Sequence, residues 1–114
     1  MTEQELLETL NNQPEHIEFS VTMATIDAHY DFTPCAFDNG GQQNQAGENS
    51  GSCKILFFAK QHELTPEKTL HLFGDYYRKD VLDHPDGNDH QNIRQFMEHG
   101  WQGVHFSAQA LVPK

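Results

Sequence analysis

The sequence predicts an α+β fold: a helix-rich single domain with a small antiparallel β element. Three observations predict it. The chain has 114 residues, which is one domain's worth and leaves no room for two. Apolar residues recur at helical spacing behind recognisable helix starts. Two short segments, 32–37 and 103–106, lie between those helices and read as strands that pair. The domain covers 1–114, with 107–114 expected as a loosely held tail.

The elements follow in order. Thr2-Glu3-Gln4-Glu5 is a capping box before Leu6, Leu7 and Leu10, so a first helix starts there and ends near Asn11-Asn12. Pro14 suits the first turn of a second helix, where its missing N–H costs nothing. Ile17 to Tyr30 fits a strand period through Ile17, Phe19, Val21 and Met23. It also fits a helical one through Phe19, Met23, Ile26 and Tyr30, and its length and the proline favour helix. Thr33 precedes Pro34, which makes 31–37 extended. Asp38 to Ser52 is rich in Gly, Asn and Gln and reads as a long irregular loop.

Cys53 to His62 carries Ile55, Leu56, Phe57 and Phe58 and reads as a core helix, although four consecutive apolar residues also suit a buried strand. Thr65-Pro66-Glu67 is a helix start with a capping hydroxyl, a first-position proline and an acid near the positive dipole end; Leu70, Phe73 and Tyr77 line one face of that helix, with Leu72 and Tyr76 beside it. A brief helical turn at Val81-Leu82 stops at Pro85, and Asp86-Gly87-Asn88 is a turn. Asn88 or Asp89 caps a last helix that turns Ile93, Phe96 and Met97 inward and ends at Gly100.

Composition excludes several function classes. Eight Phe, three Tyr and one Trp give more aromatic content than a disordered chain holds. The formal charge is −10, with no Lys or Arg before Lys54. Such a chain repels phosphate backbones and anionic membrane surfaces, so neither nucleic acid nor membrane is an expected partner. No apolar run is long enough to cross a bilayer, and Met1 to Glu5 lacks the basic start of a secretory signal. Two cysteines, Cys35 and Cys53, read as reduced cytosolic thiols.

Three constellations invite chemistry. The Gly-rich run Gly47 to Lys54 looks like a phosphate cradle. Three residues separate its glycines, Lys54 comes three positions after the second glycine and not directly behind it, and Glu48 repels anions, so it is not a P-loop. The simpler reading is that Ser50 or Ser52 caps a helix. The run Asp83 to His90 is rich in metal-ligand side chains. With Gly87 at the sixth position of an EF-hand loop, Leu82 and Ile93 fall where carboxylates are needed, and no metal or other cofactor is expected. The third is a thiol nucleophile. Cys53 sits at an expected helix N-terminus, which lowers a thiol pKa, and His90 or His71 is a candidate base. The competing reading is a small buried side chain. Arg78 and Arg94 are expected to pair with Asp80, Asp89 or Glu98, and Trp101 to plug the core edge.

Four blocks carry a resemblance: Asn39-Gly40 with Asn44 to Lys54; Phe73-Gly74-Asp75-Tyr76-Tyr77-Arg78; Pro85 to Arg94; and Gly100 to Phe106. Through them the chain resembles the HopJ type III effector family over nearly its full length. The resemblance implies an α+β fold and, by the family's name, export from a bacterium into a host cell. It brings no catalytic residue. The N-terminus, with Glu3, Glu5 and Glu8 inside a capped helix, fits residence in the bacterial cytoplasm.

The blocks are built from polar residues, where a motif set by packing would be Leu and Val. Asn39, Asn44, Asn49, Asp89, His90, Asn92 and Arg94 either form a buried polar network that fixes the long loop to the last helix, or line a small-molecule or peptide pocket. The network is the preferred reading. The chain is thus expected to be a HopJ-like interaction or binding module with an unknown protein or small-molecule partner. The alternative is a small hydrolase or transferase using Cys53 with His90.

Overall fold

The computed structural model describes all 114 residues. Helix α1 (Glu3–Asn12) begins at the capping box: the Thr2 hydroxyl accepts from the Glu5 amide at 3.1 Å, and the Glu5 carboxylate accepts from the Thr2 amide at 3.0 Å. It buries Leu6 and Leu10. Pro14 does not open the second helix. It opens a separate 3-10 turn (Pro14–His16), and α2 (Phe19–His29) starts only after an extended Ile17. Arg78 sits at this break, where its guanidinium donates to the Pro14 carbonyl at 3.2 Å and also to the Ile17 carbonyl. Arg78 was expected to pair with an acid. Asp75 lies 3.8 Å away, but the carbonyl bonds are the closer contacts.

Along α2 the inward face is not the purely apolar one. Thr22 and Thr25 are buried while Ala24 and Ala28 are exposed. Each threonine hydroxyl donates to the carbonyl one turn back, Glu18 and Val21, so it enters the core with its polar group satisfied.

Two small antiparallel sheets follow. β1 (Tyr30–Phe32) pairs with β5 (Leu111–Pro113), setting Phe32 opposite Leu111. β2 (Phe37–Asn39) lies between β3 (Gln42–Asn44) and β4 (Val104–Phe106), setting Phe37 opposite Asn44 on one side and Phe106 on the other. The expected pairing of 32–37 with 103–106 is therefore realised by residues 37–39, while Phe32 belongs to the other sheet. The stretch 38–52 is no irregular loop. It holds a hairpin, whose Gly40 takes a left-handed φ of +60°, then a turn and the start of a helix. Nor is 107–114 loose: Ala110 and Leu111 are fully buried, and the Thr33 amide donates to the Ala110 carbonyl at 2.8 Å.

The remaining helices enclose the core. α3 (Ser50–Gln61) buries Cys53, Ile55, Leu56, Phe58 and Ala59. α4 (Pro66–His71) is capped by the Thr65 hydroxyl. A π-helical segment (Tyr76–Val81) replaces the brief turn expected at Val81-Leu82. α5 (Gln91–His99) buries Asn92, Ile93 and Phe96 but leaves Met97, expected inward, exposed, because the inward stripe runs through Asn92 and Phe96; it leads through a 3-10 turn (Gly100–Gly103) into β4. The Trp101 indole packs edge-on against Phe96 and donates to the Leu64 carbonyl at 2.9 Å, closing the core edge. Between α4 and the π-helical segment, Gly74 has φ +64°, and a Cβ there would meet the Phe19 amide at 2.6 Å. That close approach brings the start of α2 beside Tyr76.

Candidate ligand-binding cleft

Four asparagines join three elements. Asn92, in the first turn of α5, is the hub. Its side-chain oxygen accepts from Asn39 and from Asn44, each at 3.1 Å, and its side-chain nitrogen donates to the Asn44 oxygen at 3.1 Å. Asn39 also donates to the Asn92 carbonyl at 2.7 Å. Asn49, just ahead of α3, donates to the Asn44 oxygen at 2.7 Å. Asn39, Asn44 and Asn92 are buried and Asn49 is exposed. Amides suit this job because each carries both donor and acceptor and no charge to desolvate.

The chain forms helix starts without side-chain caps here. Neither Ser50 nor Ser52 caps α3, and neither Asn88 nor Asp89 caps α5. The N-cap residues are Asn49 (φ 50°, ψ 47°) and His90 (φ 48°, ψ 48°), both left-handed, and neither makes a side-chain cap bond. Asn49 sends its amide to Asn44 instead, and His90 turns its Nε2 to Asp80 at 3.1 Å. The His90 ring rests against Tyr76 with centroids 5.2 Å apart.

Beside the network lies a cleft of about 400 Å³. The start of α3 lines it with Asn49, Gly51 and Ser52, and the start of α5 with His90, Gln91, Asn92 and Ile93. Phe19, Phe73 and Tyr76 form an aromatic wall, and Gln42 of β3 completes the lining. Phe19 and Tyr76 meet edge to face at 4.9 Å. No lining residue is a carboxylate, in a chain whose formal charge is −10. First-turn amides of two helices and one imidazole line it, with the Asp80 and Asp89 carboxylates 3.1 and 3.9 Å behind the imidazole.

The other sequence candidates sit elsewhere. Arg94 binds Asp89 at 2.7 Å and donates to the Asp89 and His84 carbonyls at 2.6 and 2.9 Å. It pins the 84–89 turn against α5 and lies outside the cleft. The hydrogen bond from Arg94 holds the Asp89 carboxyl below its ordinary range. Cys53 faces the core at 1% exposure, one residue beyond Ser52. Burial, with Cys35 beside it, pushes its thiol up to about 12. Its sulfur makes no hydrogen bond to His90, whose ring is engaged with Asp80. Cys53 and His90 are thus not brought together, and the helix start that was expected to activate the thiol is outweighed by burial. Among His, Cys, Asp and Glu, no group of three is placed to hold a metal ion.

Sequence reasoning missed the aromatic wall, Gln42 and Asp80. Phe73 and Tyr76 do fall inside a block that carried the family resemblance, but at helical spacing they read as core. Phe19 had the same disguise, and nothing in the sequence ties Asp80 to His90.

A family model described as HopJ type III effector protein matches residues 3–111. A solved structure, "Crystal structure of unknown function protein VPA0580", is similar to this chain with a TM-score of 0.98 and 54% sequence identity, covering 100% of this chain and 95% of that one. No curated protein matched the sequence. With the match running from the capping box to the buried Leu111 of β5, the chain belongs to the HopJ type III effector family.

Proposed function

We propose that this chain is a binding module whose cleft takes a small molecule with a flat apolar body and an acceptor-rich end. Of the two partner classes expected from the sequence, the small molecule suits a concave site of about 400 Å³. One observation carries the reading: α3 and α5 both begin on the same cleft, and neither N-cap side chain covers the exposed amides. A carboxylate or carbonyl oxygen is the natural occupant of such a place. The aromatic wall offers a face for the rest of the ligand. The asparagine network supports the same reading, because it ties both helix starts to β3 and so keeps the cleft shaped before a ligand arrives.

Benzoate is a suitable probe. Titrated against the 15N-labelled protein, it should move the amide signals of Gly51, Ser52, Gln91 and Asn92 along one saturable curve. If those signals stay fixed up to the solubility limit of benzoate, the reading fails.

The family name suggests secretion into a host cell. No helix is long and apolar enough to cross a membrane. Residence in the bacterial cytoplasm is our proposal for the chain before any export, supported by the capped, acidic α1. Fractionation of the producing cells tests it.

A further inference from the structure

We propose that the cleft is an acyl-transfer site for small carboxylic esters, with Ser52 as nucleophile, His90 as general base and Asp80 as the positioning residue behind His90. This rests on the binding reading above and adds a reaction to it.

The placement of Ser52 is the first argument. Successive helix residues point about 100° apart. Cys53 faces the core, and Ser52 faces the cleft. Ser50 donates its hydroxyl to the Gly47 carbonyl at 3.4 Å, whereas the Ser52 hydroxyl has no protein partner. It sits in the first turn of α3, where the helix dipole favours a developing negative charge.

His90 is the second. It lines the same cleft, and its Nε2 lies 3.1 Å from the Asp80 carboxylate. With Nε2–H donating to Asp80, Nδ1 keeps a lone pair for a proton. Its backbone is left-handed, a conformation uncommon for a residue with a side chain and enriched at functional sites. Third, uncapped amides at both helix starts offer an oxyanion site. Ser52 and His90 line the same cleft but make no hydrogen bond in the resting structure, so the reaction requires hydroxyl and ring to meet when the ester is bound.

The steps balance. Ser52 Oγ bonds to the acyl carbon as its proton passes to His90. The ester C–O bond breaks, and the alcohol leaves with that proton. Water then gives a proton to His90 and attacks the acyl carbon. The acid departs, and Ser52 recovers its proton from His90. The net change is ester plus water to acid plus alcohol.

The test uses the full chain, a fluorophosphonate label read by peptide mass mapping, and p-nitrophenyl butyrate. An adduct on Ser52 is expected, absent in Ser52→Ala. His90→Asn, chosen because asparagine tolerates the left-handed backbone, should slow labelling and hydrolysis by about 100-fold or more. Asp80→Asn should slow both less, and Asp80→Glu, which keeps the carboxylate, should restore most of the loss. Labelling on another residue, no labelling, or a rate independent of His90 overturns the proposal. If benzoate binds in the cleft and Ser52 stays unlabelled, the reaction fails and the binding reading stands; if benzoate fails as well, both fall.

Discussion

At the scale of single residues, Asn92 joins β2 and β3 to α5, and Asn44 carries the same network on to the residue ahead of α3. Replacing Asn92 with Ala leaves Asn39 and Asn44 buried with unmet hydrogen-bonding groups. The expected loss is about 3 kcal/mol in urea unfolding, well beyond an exposed Asn→Ala change. A second residue-scale cluster joins the start of α1 to β1 and the end of α3. Partial burial alone would raise the Glu3 carboxyl. The hydrogen bonds from Tyr30 and His62 outweigh it and hold Glu3 below its ordinary value of 4.5. A carboxyl lowered in the folded state adds stability above its unfolded value, and that stability is lost as pH falls through the folded value. Tyr30→Phe should therefore cost about 1 kcal/mol near neutral pH and less well below pH 4.5, measured by denaturant unfolding across that range.

At the scale of elements, the helices were legible because their signals are local. Thr2 with Glu5 and Thr65 with Pro66 mark starts that the structure keeps. Pro14 does start a helical turn, but the turn ends at His16, and the Arg78 guanidinium that binds at this break lies 64 residues away from Pro14, where no local pattern registers it. The left-handed N-caps were hidden too, since neither Asn49 nor His90 caps with its side chain, and capping is what sequence patterns register. Strand pairing was half legible. Segment 103–106 finds its partner, but the partner begins at Phe37 because Phe32 faces Leu111. Of the seven polar residues singled out, Asn39, Asn44, Asn49 and Asn92 join one network while Asp89, His90 and Arg94 stay outside it, and the cleft needed Phe19 and Tyr76 to meet, which no spacing reveals. That meeting depends on Gly74. Gly74→Ala sets a methyl 2.6 Å from the Phe19 amide at a φ of +64°, so a loss of about 2 kcal/mol or more is expected in thermal unfolding, with weaker benzoate binding.

At the scale of the whole molecule, the chain is closed by its end. The Cα radius of gyration is 13.1 Å, the size of a well-packed single body of this length. β5 returns to β1, so residues 30–32 and 111–113 hold one another. Deleting residues 107–114 strips Ala110 and Leu111 from the core and should cost about 3 kcal/mol or more in urea unfolding, where a loose tail would cost nothing. The β2–β3 turn carries a slower consequence. Asn39-Gly40 is a peptide pair prone to spontaneous deamidation, which begins when the glycine nitrogen attacks the neighbouring side-chain amide. In the native chain that nitrogen is bonded to the Gly103 carbonyl at 2.9 Å and the Asn39 amide is tied to Asn92. Folding thus protects the chain from chemical ageing. Time spent unfolded erodes it, because an aspartate formed at position 39 would have to return as a charge to a site with no exposure to water.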